Sequence, residues 1–292
     1  MTEFSSQNKQ LIIDCAFLCK LAYASQSIIN MSWKTLLGNN KLAECPTALN
    51  CDITDAQGIC CKYEQVDFKS LVIVFRGTSS VTDAVADLNV AQVPLKSNHV
   101  SLPVLEKGKA FVHKGFQQQY LALEKQMIQY ITYALAKDSS IKHIILSGHS
   151  LGTGLAAIAA SVIKSIPICS TLKIAVITYG NPRMGNMDFI QYLHKNIDWS
   201  LEVKHGRDPV ISILPNIWGY MHPCAEKRQI GRVDPYPDSC NLFDLVDHYL
   251  DNYIKALQAD PLGEKVAPMT WMEYAKSKAA TGYLNYIQNF WY

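Results

Sequence analysis

The 292-residue sequence lacks an unbroken apolar run long enough to cross a bilayer. Its apolar stretch from Leu11 to Ala24 is interrupted by Asp14 and Lys20, which excludes a transmembrane span there. It also lacks a surplus of charge of either sign. With 27 Lys and Arg against 25 Asp and Glu, the net charge is +2, and nothing electrostatic calls for a nucleic-acid partner. Internal repeats, low-complexity segments and Gly/Ser linkers are missing as well, so residues 1–292 are expected to form a single domain. The opening "MTEFSSQNKQ" has no basic n-region and leads into no cleavable apolar segment. A cytoplasmic chain without a signal peptide is the expectation.

Cysteine is not scarce. There are nine, an odd number, and they predict reduced and mostly buried thiols. A secreted chain trimmed of its leader would read the same, with Cys45, Cys51, Cys60 and Cys61 as the expected disulfide partners. Neighbours such as Cys60 and Cys61 have no histidine at metal-ligand spacing, so no metal site is expected.

Hydrophobic residues make up 49% of the chain and charged residues 18%, ample for a buried core. Leu11, Cys15, Leu18 and Ala22, with Ile12, Ala16 and Cys19 beside them, are spaced for a helix over 8–25. "SLVIVFRG" (70–77), "IKHIILSG" (141–148) and "LKIAVITYGN" (172–181) are short continuous apolar runs, the pattern of strands buried on both faces. Between the first two, Phe116, Tyr120, Leu123, Met127, Ile131 and Leu135 repeat at helical spacing. "SLEVKHGRDPV" (200–210) supplies a further strand, residues 215–239 read as irregular, and helices are expected over about 242–258 and 270–290. The alternation is that of an α/β fold with a largely parallel sheet.

"GHSLGTG" (148–154) sets Ser150 between Gly148 and Gly152 where a strand gives way to a small-residue helix. A sharp strand-to-helix turn presents one hydroxyl at the carboxyl end of a central strand, where open α/β sheets place their sites. A serine needs a base, and the base an orienting acid. Asp208, followed by the strand-stopping Pro209, is the best-placed acid downstream. His222 and His248 both satisfy the order serine, acid, histidine, and spacing alone does not separate them. The amide of Leu151 would be one oxyanion donor, with a second from the Gly-Thr turn in "VFRGTSS" (74–80).

Together these segments resemble the class 3, fungal-type lipases of the α/β-hydrolase fold, over roughly residues 60 to 255. The motifs are "VFRGTSS", "VHKGF" (112–116), "GHSLGTG", "YGNPRMGN" (179–186), "GRDPVISILP" (206–215) and "DHYL" (247–250). The resemblance implies a mostly parallel central sheet flanked by helices, with a lid segment. It implies Ser150, Asp208 and His248 as the catalytic set and Thr78 with Leu151 as the oxyanion hole, and it assigns "GYMHP" around His222 to a non-catalytic stretch. The implied lid lies within 79–105, with Val81, Ala84, Val85 and Leu88 as its apolar face and Ala84 where the family carries tryptophan. Thr153 and Gly154 also depart from the family's glycine and alanine.

The implied activity is hydrolysis of carboxylic esters of lipids, acylglycerols first, through an acyl-enzyme that needs no cofactor or metal. A phospholipase A, an acyltransferase with the same triad, or a non-catalytic signalling scaffold are the alternatives. The implied partner is a lipid ester, with peripheral contact to a lipid surface. Residues 260–292, rich in aromatic residues, are expected to form a helical extension that packs on the domain or docks on a membrane. No oligomeric state follows from the sequence.

Overall fold

The computed structural model describes residues 9–38, 42–65, 68–77, 90–102, 109–214, 218–223, 226–231, 242–260 and 263–266. Eight strands form one sheet: β1 (Thr47–Cys51), β2 (Ala56–Gln65), β3 (Phe68–Phe75), β6 (His143–His149), β7 (Lys173–Tyr179), β8 (Trp199–His205), β9 (Glu226–Ile230) and β10 (Glu264–Val266), in that spatial order. The pairs from β3 through β9 are parallel, and antiparallel strands extend both ends. Two short strands, β4 (Gln92–Pro94) and β5 (Phe111–His113), pair separately.

Why β3 and β6 read as continuous apolar runs is plain from their two faces. In β3, Leu71, Ile73 and Phe75 join one buried cluster, and Val72 and Val74 join the other. The first cluster packs under helices Lys114–Lys137 and Gly152–Ile163; the second lies under Lys9–Leu21 and Leu250–Ala259. With helices on both sides, no strand position in the centre faces water, so the period-two signal disappears. The helix expected over 8–25 ends at Leu21, and a second runs from Gln26 to Leu37 after a turn that sets Ser25 extended at its N-cap. Tyr23 sits in that turn.

One expectation is corrected by this architecture, and two others gain detail. Within 215–239, expected to be irregular, Glu226–Ile230 is β9, paired parallel to β8. Its sequence, EKRQI, carries no apolar run, because its charged side chains pair with one another and with β8 rather than entering a core. The supposed lid span 79–105 includes β4, tied to β5 from Gln92↔His113 to Pro94↔Phe111. Within the extension expected over 260–292, Glu264–Val266 forms β10 on the sheet edge. Val81, Ala84, Val85 and Leu88 of the candidate lid, Thr78, and residues 267–292 lie outside the described residues.

The described cysteines, Cys15, Cys19, Cys45, Cys51, Cys60, Cys61 and Cys169, are free thiols. Cys60 and Cys61 are successive residues of β2, so their side chains enter opposite clusters, and the four-cysteine disulfide framework is not formed.

Candidate active site

β6 ends at His149, Ser150 follows with φ 58°, and a helix begins at Gly152. A positive φ is uncommon for a residue with a side chain, and here it turns the serine out of the strand direction. The flanking glycines make the turn possible. A Cβ on Gly148 would stand 2.4 Å from the Gly152 carbonyl oxygen, and one on Gly152 would stand 2.2 Å from the Phe75 carbonyl oxygen. The Ser150 amide donates to the Tyr179 carbonyl at 3.0 Å, tying the elbow to β7. Thr153 adds a bond of its own, its hydroxyl donating to the Ser150 carbonyl at 2.6 Å. At Gly154 the missing methyl leaves room for the Phe116 ring, so both departures from the family pattern have a local packing role.

Past β8, Asp208 caps a short turn of 3₁₀ helix over Pro209–Ser212, its Oδ1 accepting from the Val210 amide at 2.9 Å. Its Oδ2 accepts from His248 Nδ1 at 2.8 Å and from the Tyr253 hydroxyl at 2.6 Å. Burial by itself would raise this carboxyl's pKa. The His248 imidazole and the donors on His248, Tyr253 and Val210 outweigh it and hold the pKa below the usual value. Because Asp208 accepts, Nδ1 of His248 carries the proton and Nε2 presents its lone pair. That Nε2 is buried and has no hydrogen-bond partner among the described residues. Asp247 anchors the preceding position by accepting from the Arg207 amide at 2.7 Å.

The two halves meet through close approaches. A Cβ on Gly180, one residue past the Tyr179 carbonyl that holds Ser150, would lie 2.6 Å from Asp208 Oδ2 and 2.9 Å from His248 Cε1. A Cβ on Gly77, beside Thr78, would lie 2.9 Å from Ser150 Cβ. The His149 ring, next to the serine, stacks on His248 at 4.6 Å between centroids. Ser150, Asp208 and His248 are therefore gathered at the carboxyl ends of β6, β7 and β8, all three buried. The Leu151 amide heads the elbow helix, whose partial positive end favours developing negative charge.

His222, the alternative base, belongs elsewhere. Its Nδ1 lies 3.6 Å from the Glu202 carboxylate, which Asn181 and Lys227 also approach. Burial, then Lys227, Arg183 and Lys204, push its pKa well below normal. His194 Nε2 donates to the Pro223 carbonyl, and His205 Nδ1 to that of Asp247. Sequence reasoning missed Tyr253 and Tyr23. Tyr253 lies one helical turn beyond "DHYL", and only the docking of Leu250–Ala259 on the sheet reveals what its hydroxyl meets.

His149 is buried and neutral: burial, then the neighbouring His248, lower its pKa to about 3. In the unfolded chain an imidazole protonates near pH 6.5, so below that pH the unfolded state binds the extra proton and stability falls. We expect a loss with a slope of up to about 1.4 kcal/mol per pH unit from about pH 6.5 down toward 3 for this one group. Denaturant unfolding at pH 7, 6, 5 and 4 checks this, with a shallower slope in His149→Gln.

The "Lipase (class 3)" family model matches residues 72–217, half of the chain. A lipase of Rhizopus niveus is 31% identical over 159 residues, covering 54% of this chain and 38% of that one. A secreted mono- and diacylglycerol lipase of Fusarium solani is 27% identical over 158 residues, covering 54% and 43%. The chain thus spans about two fifths of the length of the curated relatives it matches. The solved structure of lipase II from Rhizopus niveus superposes with a TM-score of 0.67 at 23% identity, over 85% of this chain and 96% of that one, which establishes the shared α/β-hydrolase fold. The secreted Fusarium relative overturns the cytoplasmic expectation and points to secretion instead. That expectation rested on an absence in the first ten residues, which carries no information about compartment. From residue 72 through the elbow to the acid-bearing turn, this chain belongs to the class 3 lipase family.

Proposed function

We propose that the protein is a serine esterase of lipids, hydrolysing acylglycerols through an acyl-enzyme on Ser150. The observation that carries this reading is the Asp208–His248 pair, bonded at 2.8 Å, beside a serine held at positive φ on an elbow. His248 Nε2 takes the Ser150 proton as the hydroxyl attacks the ester carbonyl, and Asp208 keeps the imidazole in that tautomer and stabilises its charge. The Leu151 amide, with that of Thr78, receives the oxyanion. His248 then protonates the leaving alcohol and activates water for deacylation. The preference for acylglycerols is supported by the mono- and diacylglycerol lipase among the relatives.

Contact with a lipid surface is part of the proposal. Val246 and Tyr249 flank the buried His248 yet are 55% and 59% exposed. Apolar groups on the rim of a site gain burial at a membrane or droplet. Replacing both by serine should lower turnover of emulsified acylglycerol about tenfold and leave a soluble short-chain ester within about twofold, since the side chains do not touch the reacting atoms. Equal loss on both substrates would reject the surface role.

The central test is labelling by a fluorophosphonate, read as a mass increase on Ser150, together with turnover of p-nitrophenyl esters and acylglycerols. A protein that neither labels nor turns over esters would favour a non-catalytic scaffold.

A further inference from the structure

His149 lies in the elbow, directly before Ser150. Here it makes three specific contacts. Its Nε2 lies 2.8 Å from the main-chain carbonyl of His248. Its Nδ1 lies 3.2 Å from the Tyr23 hydroxyl. Its ring stacks on that of His248 with planes 28° apart. The carbonyl can only accept, so Nε2 carries the proton and Nδ1 accepts from Tyr23. The Gly77 amide bonds the same hydroxyl, and burial keeps the phenol protonated, so Tyr23 remains a donor.

From this geometry we infer that His149 is a positioning residue for His248, and that Tyr23 sets its tautomer. The chain runs from the Gly77 amide through the Tyr23 hydroxyl to His149 Nδ1, and from His149 Nε2 to the His248 carbonyl. It joins the loop after β3, the turn after the first helix, the elbow, and the segment carrying the base.

The arrangement answers a specific problem. His248 is the last residue of a run of 3₁₀ helix over Leu242–His248, a less regular support than a strand. Asp208 fixes only one edge of its ring. The His149 bond fixes its backbone to the residue beside the nucleophile, and the stacked face limits rotation of the ring between Asp208 and Ser150. The groups facing His149 are Tyr23, His248, Asp208 and the edge of Tyr253. A second cation against His248 would oppose formation of the imidazolium. The lowered pKa, about 3, keeps His149 uncharged wherever the base can work.

The inference rests on the triad reading, and the test separates the two. Fluorophosphonate labelling rates of Ser150, and kcat and KM on a soluble p-nitrophenyl ester, are measured for the wild type, Tyr23→Phe, His149→Phe, His149→Gln and the Tyr23→Phe/His149→Phe double variant. His149→Phe keeps a ring and loses both hydrogen bonds; kcat and the labelling rate should fall about 10–100-fold, with KM within about threefold. His149→Gln restores a donor near Nε2 and should return to within about fivefold of wild type. Tyr23→Phe should cost about 3–10-fold alone and nothing further on the His149→Phe background, because the two act in one chain. Tyr23→Phe removes a single hydroxyl, so it serves should His149→Phe fail to fold. Wild-type rates in Tyr23→Phe or His149→Phe, or losses that multiply in the double, overturn the inference. A wild type that does not react with the probe overturns the triad reading, and this inference with it.

Discussion

Ser150→Ala and His248→Ala should each reduce ester turnover by about 10⁵–10⁶, with Asp208→Asn milder at about 10⁴. The order follows from what each group does. In the proposed reaction Ser150 carries the acyl group and His248 takes the serine proton. Asn at 208 keeps the shape but offers its amide where Nδ1 of His248 now donates at 2.8 Å, which favours the wrong tautomer. The double Ser150→Ala/His248→Ala variant should be no slower than either single one, because the groups act as a unit. Initial rates on a soluble ester, with enzyme stocks checked for contaminating wild type, measure this. Full activity in His248→Ala with loss in His222→Ala would transfer the base to His222, against its place beside Glu202 at 3.6 Å.

The second large effect is on folding. Gly152→Ala should destabilise the protein by about 3 kcal/mol or more, lowering Tm by roughly 5–10 °C. The added methyl would meet the Phe75 carbonyl oxygen at 2.2 Å and the carbonyl carbons of Phe75 and Arg76 at 2.8 Å. These are backbone atoms at the end of β3 and cannot swing aside. Relief requires moving the elbow helix off the strand, which also displaces Gly77 from Ser150. Activity should therefore fall further than the folded fraction does. Gly154→Ala is the control: the three atoms nearest its methyl all belong to the Phe116 side chain, which has torsions to adjust, and the cost should be smaller. Thermal unfolding of both variants beside the wild type decides it; equal and small shifts would mean the strand and helix are not in the contact described.

Glu226–Ile230 shows why part of the sheet was illegible. Strand identity in β3, β6 and β7 is written in side chains that must leave water on both faces, so local composition suffices. β9 holds its place by pairing to β8 and by charges that answer charges on other elements, and a polar pentapeptide announces neither. The first helix was found by its apolar spacing, but its end at Leu21 depends on the turn that carries Tyr23 to the elbow.

What the sequence by itself determined is the turn that presents Ser150, the proposed nucleophile. Gly148, Ser150 and Gly152 lie within five residues, and their steric demands are local. Asp208 and His248 were candidates of the right order, and only family likeness separated His248 from His222. The tertiary structure decided the rest by proximity. It set the Asp208 carboxylate among His248, Tyr253 and Val210, placed His222 beside Glu202, and stacked His149 against His248. The physical reason is range: an apolar period or a glycine turn acts over a few residues. A hydrogen bond between residues 40 or 99 positions apart exists only once the sheet has brought their strands together.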